Sequence, residues 1–243
     1  MGKIYPQNIS SAKIISKIII LLLGFTSIAC SSEKTNESLS NIQNEYKAES
    51  MKYSSGVSVN TDKGNQKYVR ITIINPHTLF DSTYTPEDIM SKSALIFFNS
   101  MSNEEKKSFN YIQIIIENTQ NSFSNEYPIN TLTKINDVIN ETILKVSDDL
   151  IKQDYNHLIN FFAEDIMKDS LINGLKEADS IYGKGNKYAF IGFSFINTAR
   201  DNNNNKIPIA KFKILLERIK LTNNVDLYLN YESKTNKIVS LDF

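Results

Sequence analysis

The sequence predicts an α+β protein: an N-terminal β-β-α-β unit, followed by three helices packed on a curved four-stranded antiparallel sheet. Residues 68–75 alternate between apolar and polar side chains, as in a half-buried strand. Apolar residues at helical spacing dominate residues 131–182, and strand-like runs follow Gly183 and Gly185. Helices and antiparallel strands that are separated along the chain in this way are typical of the α+β class.

Residues 1–29 have the pattern of an export signal. Lys13 and Lys17 precede an apolar run that begins at Ile18, and small residues lead up to Cys30, which is the only cysteine. The apolar stretch ends at Ala29, which makes it shorter than the roughly 20 residues that a membrane-spanning helix needs. We therefore expect residues 1–29 to be a signal peptide.

The Ala29–Cys30 junction resembles the lipobox of bacterial lipoproteins, although Ser27 stands where a leucine is usual. The resemblance implies lipidation at Cys30 and cleavage before it. The mature protein would then be anchored to a membrane of the cell envelope by lipid. In a host with two membranes, this would be the outer membrane or a periplasm-facing surface. With Cys30 consumed, disulfides and cysteine nucleophiles are excluded.

The charge of the chain excludes nucleic acid as a partner. Residues 1–29 contain three lysines and no acid, so 24 basic residues face 27 acidic ones in the remainder. No basic block of the kind that follows a phosphate backbone is present. Residues 30–52 are polar, with few apolar positions, and we expect a tether that becomes helical near its end.

Residues 53–125 are expected to form the β-β-α-β unit. A hairpin pairs a short strand at Gly56–Asn60 with a strand at Tyr68–Asn75. Thr85 and Pro86 mark a helix start, and Met90, Ala94, Phe97, Phe98 and Met101 give that helix one apolar face. Ser102 and Glu105 form a capping-box pair, and Tyr111–Glu117 is the next strand.

Residues 126–243 are expected to form the second unit. Helical spacing predicts one long helix from Thr131 to Leu150, a second from Asp154, and a third that ends at Tyr182. Four strands then follow, at residues 188–197, 206–220, 225–232 and 237–243. This order, with the Gly183–Lys184–Gly185 break leading into Tyr188, resembles the cystatin-like or NTF2-like α+β domains. The resemblance implies a curved sheet wrapped on helices and no particular activity.

Motifs that would indicate calcium binding, phosphate binding or a histidine metal site are incomplete or absent in the sequence. Asp201, Asn203 and Asn205 imitate a calcium loop, but Lys206 stands where the loop needs glycine. Gly183 and Gly185 follow a helix and precede a strand, which is the reverse of a phosphate-binding loop. His77 and His157 provide no two-histidine metal face. We therefore expect no catalytic residue, no metal site and no cofactor.

Four residues are candidates for binding a ligand in the second unit. His157 lies on a helix, with Glu164, Asp165 and Tyr182 as candidate neighbours for a base or a ligand. Tyr188 and Phe190 lie on the first strand of the sheet, where aromatic side chains pack on the helices and line any concavity. The ordinary alternative is that the aromatic residues belong to the core and that His157 lies at the surface.

The sequence thus predicts a lipid-anchored envelope protein that is not an enzyme and that binds a protein or a small ligand. Two alternatives stay open: an enzyme or small-molecule carrier that uses the concave side of the second unit, and an immunity-type or structural partner protein. The oligomeric state does not follow from the sequence.

Overall fold

A computed structural model describes residues 33–60, 64–80, 83–163, 167–196, 200, 206–233 and 235–243. The predicted signal peptide, Cys30, Glu164 with Asp165, and the loop at 201–205 lie outside these residues. Among the residues that are described, no helix is both long and apolar enough to cross a membrane.

The first sheet is mixed and has the strand order β1-β2-β3-β4. An antiparallel hairpin joins β1 (Ala48–Asn60) to β2 (Gly64–Pro76). β3 (Tyr111–Glu117) runs parallel to β2, and β4 (Ser122–Pro128) runs antiparallel to β3. The predicted β-β-α-β order is confirmed, but β4 was not predicted.

Two helices connect the parallel strands β2 and β3. α2 (Pro86–Ser100) begins with a capping box, in which the Thr85 side chain accepts from the Asp88 N–H and the Asp88 side chain accepts from the Thr85 N–H. α3 (Asn103–Ser108) begins with the same arrangement between Ser102 and Glu105. Both predicted helix starts are confirmed. A crossover of this kind is necessary because parallel strands cannot be joined by a tight turn.

The second sheet is antiparallel, with the strand order β5-β6-β7-β8. Its strands are β5 (Gly185–Ile196), β6 (Ile209–Arg218), β7 (Thr222–Asn230) and β8 (Ile238–Asp242). The predicted four-stranded antiparallel sheet is confirmed. Gly183 ends the preceding helix with a φ of 84°, a backbone angle that glycine adopts without strain.

The long predicted helix is one helical segment with a change of winding. It consists of α4 (Ile129–Val138), a π-helical turn (Ile139–Ile143) and α5 (Leu144–Lys152). The predicted cap at Thr131 is wrong, because the helix begins after Pro128 and has no side-chain cap. Short α6 (Tyr155–Leu158) and a 3₁₀ turn (Ile159–Phe161) replace the predicted second helix, and α7 (Lys168–Tyr182) is the third.

The expected tether at 30–52 is helical near its end, as predicted, but from Glu33 onward it is not a free tether. α1 (Glu33–Tyr46) packs into the body of the protein, and Ile42 and Tyr46 are fully buried. The buried positions Thr35, Ser38, Ile42 and Tyr46 follow a helical spacing, so one face of this polar helix is apolar enough to join the core. β1 begins at Ala48, directly after the turn that ends α1.

The two predicted units share one core. Residues 34–243 form a single compact unit, and one cluster of buried side chains contains residues of both sheets. α2 contacts β3 and β4 of the first sheet and β5 of the second. The sheet arrangement therefore differs from the predicted one, in which the second sheet packs only on its own three helices.

Candidate functional site

The start of α2 lies where the two sheets approach each other. The Phe193 backbone N–H of β5 donates to Ser91 Oγ of α2 at 2.9 Å. At Gly192, a Cβ atom would lie 2.8 Å from the Asp88 backbone, which leaves room for glycine alone. Tyr127 of β4 and Phe193 of β5 meet edge to face, with ring centroids 5.8 Å apart. These contacts fix the helix start against both sheets.

A buried ion pair strengthens this junction. Lys213 Nζ of β6 lies 3.0 Å from Asp88 Oδ2 and donates to the Thr83 carbonyl oxygen at 2.6 Å. The same Asp88 oxygen accepts from the Thr85 N–H at 3.0 Å. Asp88 Oδ2 therefore holds the start of α2 to β6, and removing either partner of this buried pair would leave an uncompensated charge.

A surface cavity of about 450 Å³ opens beside this junction. It lies within the size range of cavities that hold small molecules. The helix start, β4, β5 and β6 all contribute to its wall, which consists of Thr85, Pro86, Glu87, Asp88, Met90, Phe123, Ser124, Asn125, Ser194 and Lys211. Three of these side chains are apolar and the others are polar or charged, so the cavity suits a ligand with both characters.

Glu87 is the acid in this wall that forms no ion pair with a described residue, and it lies in the first turn of α2. Burial raises the pKa of the Glu87 carboxyl, and the neighbouring Asp88 raises it further, whereas Lys211 opposes the shift. Lys211 Nζ lies 3.3 Å from Asp226 Oδ2, so its charge is shared with that carboxylate. No described lysine, arginine or histidine forms an ion pair with Glu87.

Beside the cavity, the Tyr127 side chain is almost completely buried, with 1% of the residue exposed. Its hydroxyl has no hydrogen-bond partner of normal geometry in the described part of the chain. Burial raises the pKa of Tyr127, the nearby Asn125 amide opposes this, and Glu87 and Asp88 raise it further. All three neighbours line the cavity, and Tyr127 lies on β4 next to them without lining the cavity itself.

The charges of the wall favour a cation over an anion. The N-terminus of a helix attracts negative charge, but Glu87 and Asp88 already occupy the first turn of α2. Lys211 and Lys213 are paired with Asp226 and Asp88 respectively. Glu87 is therefore the charged residue of the wall that has no ion-pair partner among the described residues. An amine would complement its charge, and an apolar group next to the amine would lie against the side chains of Pro86, Met90 and Phe123.

The four residues predicted to bind a ligand do not line this cavity. Tyr188 and Phe190 are half-buried on β5 and pack against the core, and burial, followed by Asp148, raises the pKa of Tyr188. Tyr182 lies at the end of α7 and is 40% exposed. His157 lies on α6, where its ring meets Phe161 edge to face.

The structure brings His157 together with two aspartates instead. Its Nδ1 lies 2.7 Å from Oδ2 of the buried Asp149, and Asp154 Oδ1 accepts from the His157 backbone N–H at 3.1 Å. Each of these three residues offers one possible ligand atom, and the three atoms lie within 4.8 Å of one another. Among the described residues, this is the group whose geometry could hold a metal ion. Both aspartates already serve as structural partners of α6, which accounts for their positions.

Comparisons with known proteins give no relative: no family model, no curated protein and no solved structure matches this chain.

Sequence reasoning missed the cavity residues, although part of their signal was visible. Lys211 and Lys213 are two charged residues, two positions apart, in the otherwise apolar residues 209–216 of β6. That spacing places both on the side of β6 opposite Phe212 and Ile214, which are fully buried. A partner for these lysines was therefore predictable, but its identity as the start of α2 depends on long-range packing.

Proposed function

We propose that this protein is a lipid-anchored cell-envelope protein that binds a small ligand carrying an amine next to an apolar body. Anchoring is inferred from the basic N-terminus, the apolar run and the Ala29–Cys30 junction. Two acyl chains would make the attachment stable, since each buried methylene contributes about 0.8 kcal/mol. The proposal includes a cystatin-like or NTF2-like fold for residues 126–243. It is supported by the helices of this region and the four-stranded antiparallel sheet that follows them.

The observation that carries the ligand proposal is the Glu87 carboxylate, which lines the cavity between the sheets and forms no ion pair with a described residue. Glu87 is an exposed residue, but the cavity wall removes part of the water around its carboxyl, and this desolvation disfavours the charged form. An alkylammonium group would restore the favourable environment of that charge. Its apolar chain would lie against Pro86, Met90 and Phe123, and Ser124 or Ser194 would accept or donate further hydrogen bonds.

Hexylamine, hexanol and hexanoate are suitable probes, because they share one apolar chain and differ in charge. We expect hexylamine to bind and to perturb the amide NMR signals of Ser124 and Asn125, and hexanoate to have no effect there. Glu87→Gln should weaken hexylamine binding at least about tenfold, the loss expected for one partly desolvated ion pair. Glu126→Gln is the matched control, because Glu126 lies on β4 next to the cavity residues Ser124 and Asn125 but does not line the cavity itself.

Equal affinity for hexylamine and hexanol would contradict the role of Glu87, and preferential binding of hexanoate would contradict the cationic ligand altogether.

Anchoring has a separate test. Cys30→Ala should abolish acyl labelling of the protein and should move it from the membrane fraction to the soluble or unprocessed fraction. Unchanged labelling and fractionation would contradict lipidation at Cys30 and would leave the ligand proposal untouched.

A further inference from the structure

The outer strand of a sheet carries unpaired backbone N–H and C=O groups that can pair with another strand. Proteins therefore usually cover such edges. This protein covers or shortens three of its four sheet edges. The β5 edge donates the Phe193 N–H to Ser91. At the β8 edge, the Ala163 N–H donates to the Ile238 carbonyl oxygen at 2.9 Å. β4 is short and ends in Pro128, which has no N–H to donate.

The edge of β1 is different. The Gln43 side chain donates to the carbonyl oxygens of Ala48 and Glu49 at the start of the strand. Beyond that point, no backbone hydrogen bond joins the outer edge of residues 50–60 to any other described residue. Residues 53–60 contain no charge and no proline, and Val57 and Val59 are 54% and 82% exposed. Glu49 and Lys52 place charges on the earlier part of β1, but residues 53–60 contain none of the usual devices that block strand addition.

The tip of the β1–β2 hairpin has little support from the rest of its sheet. Asn110 is hydrogen-bonded to the Lys67 backbone, and the Tyr111 hydroxyl donates to Ser58 Oγ at 3.3 Å. β3 pairs with β2 only from Tyr68 onward, and Tyr68 is opposite Gly56 of β1. The strand pairs from Val57 to Asn60 therefore extend as a two-stranded ribbon. Such a ribbon is only marginally stable in water and gains from further strands.

We propose that β1 pairs in antiparallel fashion with β1 of a second copy of this chain, so that the first sheets of two protomers join into one. Two identical antiparallel strands with Ser58 opposite its symmetry mate place each Val57 opposite the Val59 of the partner. Both exposed valines of each protomer are then covered, and no like charges within residues 53–60 oppose each other. Because the β4 edge is short and ends in proline, the pairing closes as a two-fold dimer and does not continue into a fibre.

Cysteine cross-linking tests the register directly in membranes that contain the full-length protein. Cα atoms of directly opposed residues lie about 4.5–5.5 Å apart, which suits a disulfide. Ser58→Cys should therefore give a covalent dimer under mild oxidation. Ser54→Cys is the matched control on the same strand face, because this register separates the two Cys side chains by about 27 Å along the strand. The unmodified chain controls for cross-linking through Cys30.

A second pair of variants tests the surface without cysteine chemistry. Val57→Lys with Val59→Lys, added to Ser58→Cys, should reduce the cross-linked fraction at least about tenfold, since like charges directly opposite are destabilising. Mixing that protein in detergent with a Val57→Glu, Val59→Glu, Ser58→Cys protein should restore the dimer. Val239→Lys, an exposed valine of β8, should change nothing. Equal cross-linking of Ser58→Cys and Ser54→Cys, or cross-linking that survives the lysines, would overturn the proposal, as would its complete absence.

Discussion

Folding moves the Glu87 carboxyl into surroundings that stabilise its negative charge less well than water does. Burial raises its pKa in the folded protein, so the folded state binds the proton more tightly than the unfolded chain does. Stability from this group is greatest when the carboxyl is protonated and is lost as the pH rises from its ordinary pKa through its raised one.

Comparison with Glu87→Gln over a pH series isolates this contribution. Relative to the variant, the wild-type protein should lose free energy of unfolding as the pH rises through that window. The loss should stay below about 1 kcal/mol, because the side chain is largely exposed to solvent. Thermal or urea unfolding at each pH measures it, with Glu126→Gln as reference. A difference that does not vary with pH would contradict the raised pKa.

Asp179 of α7 is the acid on which a second buried network depends. Its carboxylate accepts from the guanidinium of Arg218 and from the Tyr155 hydroxyl and the Gln153 amide. The Arg218 side chain is only 2% exposed. Burial raises the pKa of Tyr155, and its hydrogen bond to Asp179 adds to the effect.

Asp179→Ala should destabilise the protein by about 3–5 kcal/mol, because it leaves the Arg218 charge buried without a partner. Adding Arg218→Met to that variant should restore part of the loss, since the buried charge is then removed. Urea unfolding of both proteins measures this. If Asp179→Ala cost less than the double variant, the network would not have the role assigned to it.

At the scale of elements, the position of α2 against the second sheet depends on the missing side chain of Gly192. A methyl group there would meet the backbone of Asp88 and also Ser91 Oγ, which accepts the Phe193 N–H. Gly192→Ala should therefore push α2 away from β5 and cost about 1–3 kcal/mol. Gly174→Ala on α7 is the matched control, because nothing lies within 4 Å of its added methyl group. Alanine favours a helix, so the control should be neutral or stabilising.

Gly192→Ala should also weaken hexylamine binding, because Ser194 and Lys211 lie across the cavity from α2. Unchanged stability and binding would show that the helix and the sheet adjust without strain. Calorimetric titration together with unfolding curves separates the two effects.

The elements that could be predicted are those whose signal is local. The capping boxes at Thr85 and Ser102 are short-range hydrogen bonds, and the buried face of the segment from Leu132 to Leu150 follows helical spacing directly. β4 was missed because its alternation is weak, with Phe123 and Tyr127 as its only large apolar residues. The π-helical turn at Ile139 leaves no signal in that spacing.

The candidate site could be predicted only in its parts. The sequence around Thr85 indicates a helix start, and the lysines of β6 indicate a polar partner, but no local pattern joins them. Their meeting depends on α2 crossing from one sheet to the other, which is a long-range contact. His157 was a candidate for lining a concavity of the second unit, with a surface position as the alternative. The inner face of the second sheet is filled by side chains such as Phe212, Ile214 and Leu227.

For the whole molecule, α1 matters because it replaces an expected flexible tether. Its residues Ile42 and Tyr46 belong to the common core, and the Lys92 ammonium pairs with Glu45 at 2.5 Å. Deleting residues 33–46 should therefore destabilise the entire unit by several kcal/mol, since two fully buried apolar side chains are lost at about 1.5–3 kcal/mol each.

Deleting only Ser31 and Ser32 is the control, because both precede α1. Circular dichroism melting curves of the two proteins should differ by a large shift in Tm. If the α1 deletion melts at the same temperature as the control, α1 does not contribute to the stability of the unit.

The start of α2 is both a wall of the cavity and the point at which the two sheets are held together. A ligand bound there contacts α2, β4, β5 and β6 at once, so it can remain bound only while both sheets are in place. Ligand occupancy should therefore be visible as a higher melting temperature of the whole unit, with a gain of about 2.7 kcal/mol at a hundredfold excess over Kd. A thermal-shift screen of a metabolite collection can then identify the natural ligand without an activity assay, and loss of the shift in Glu87→Gln would assign each hit to this cavity.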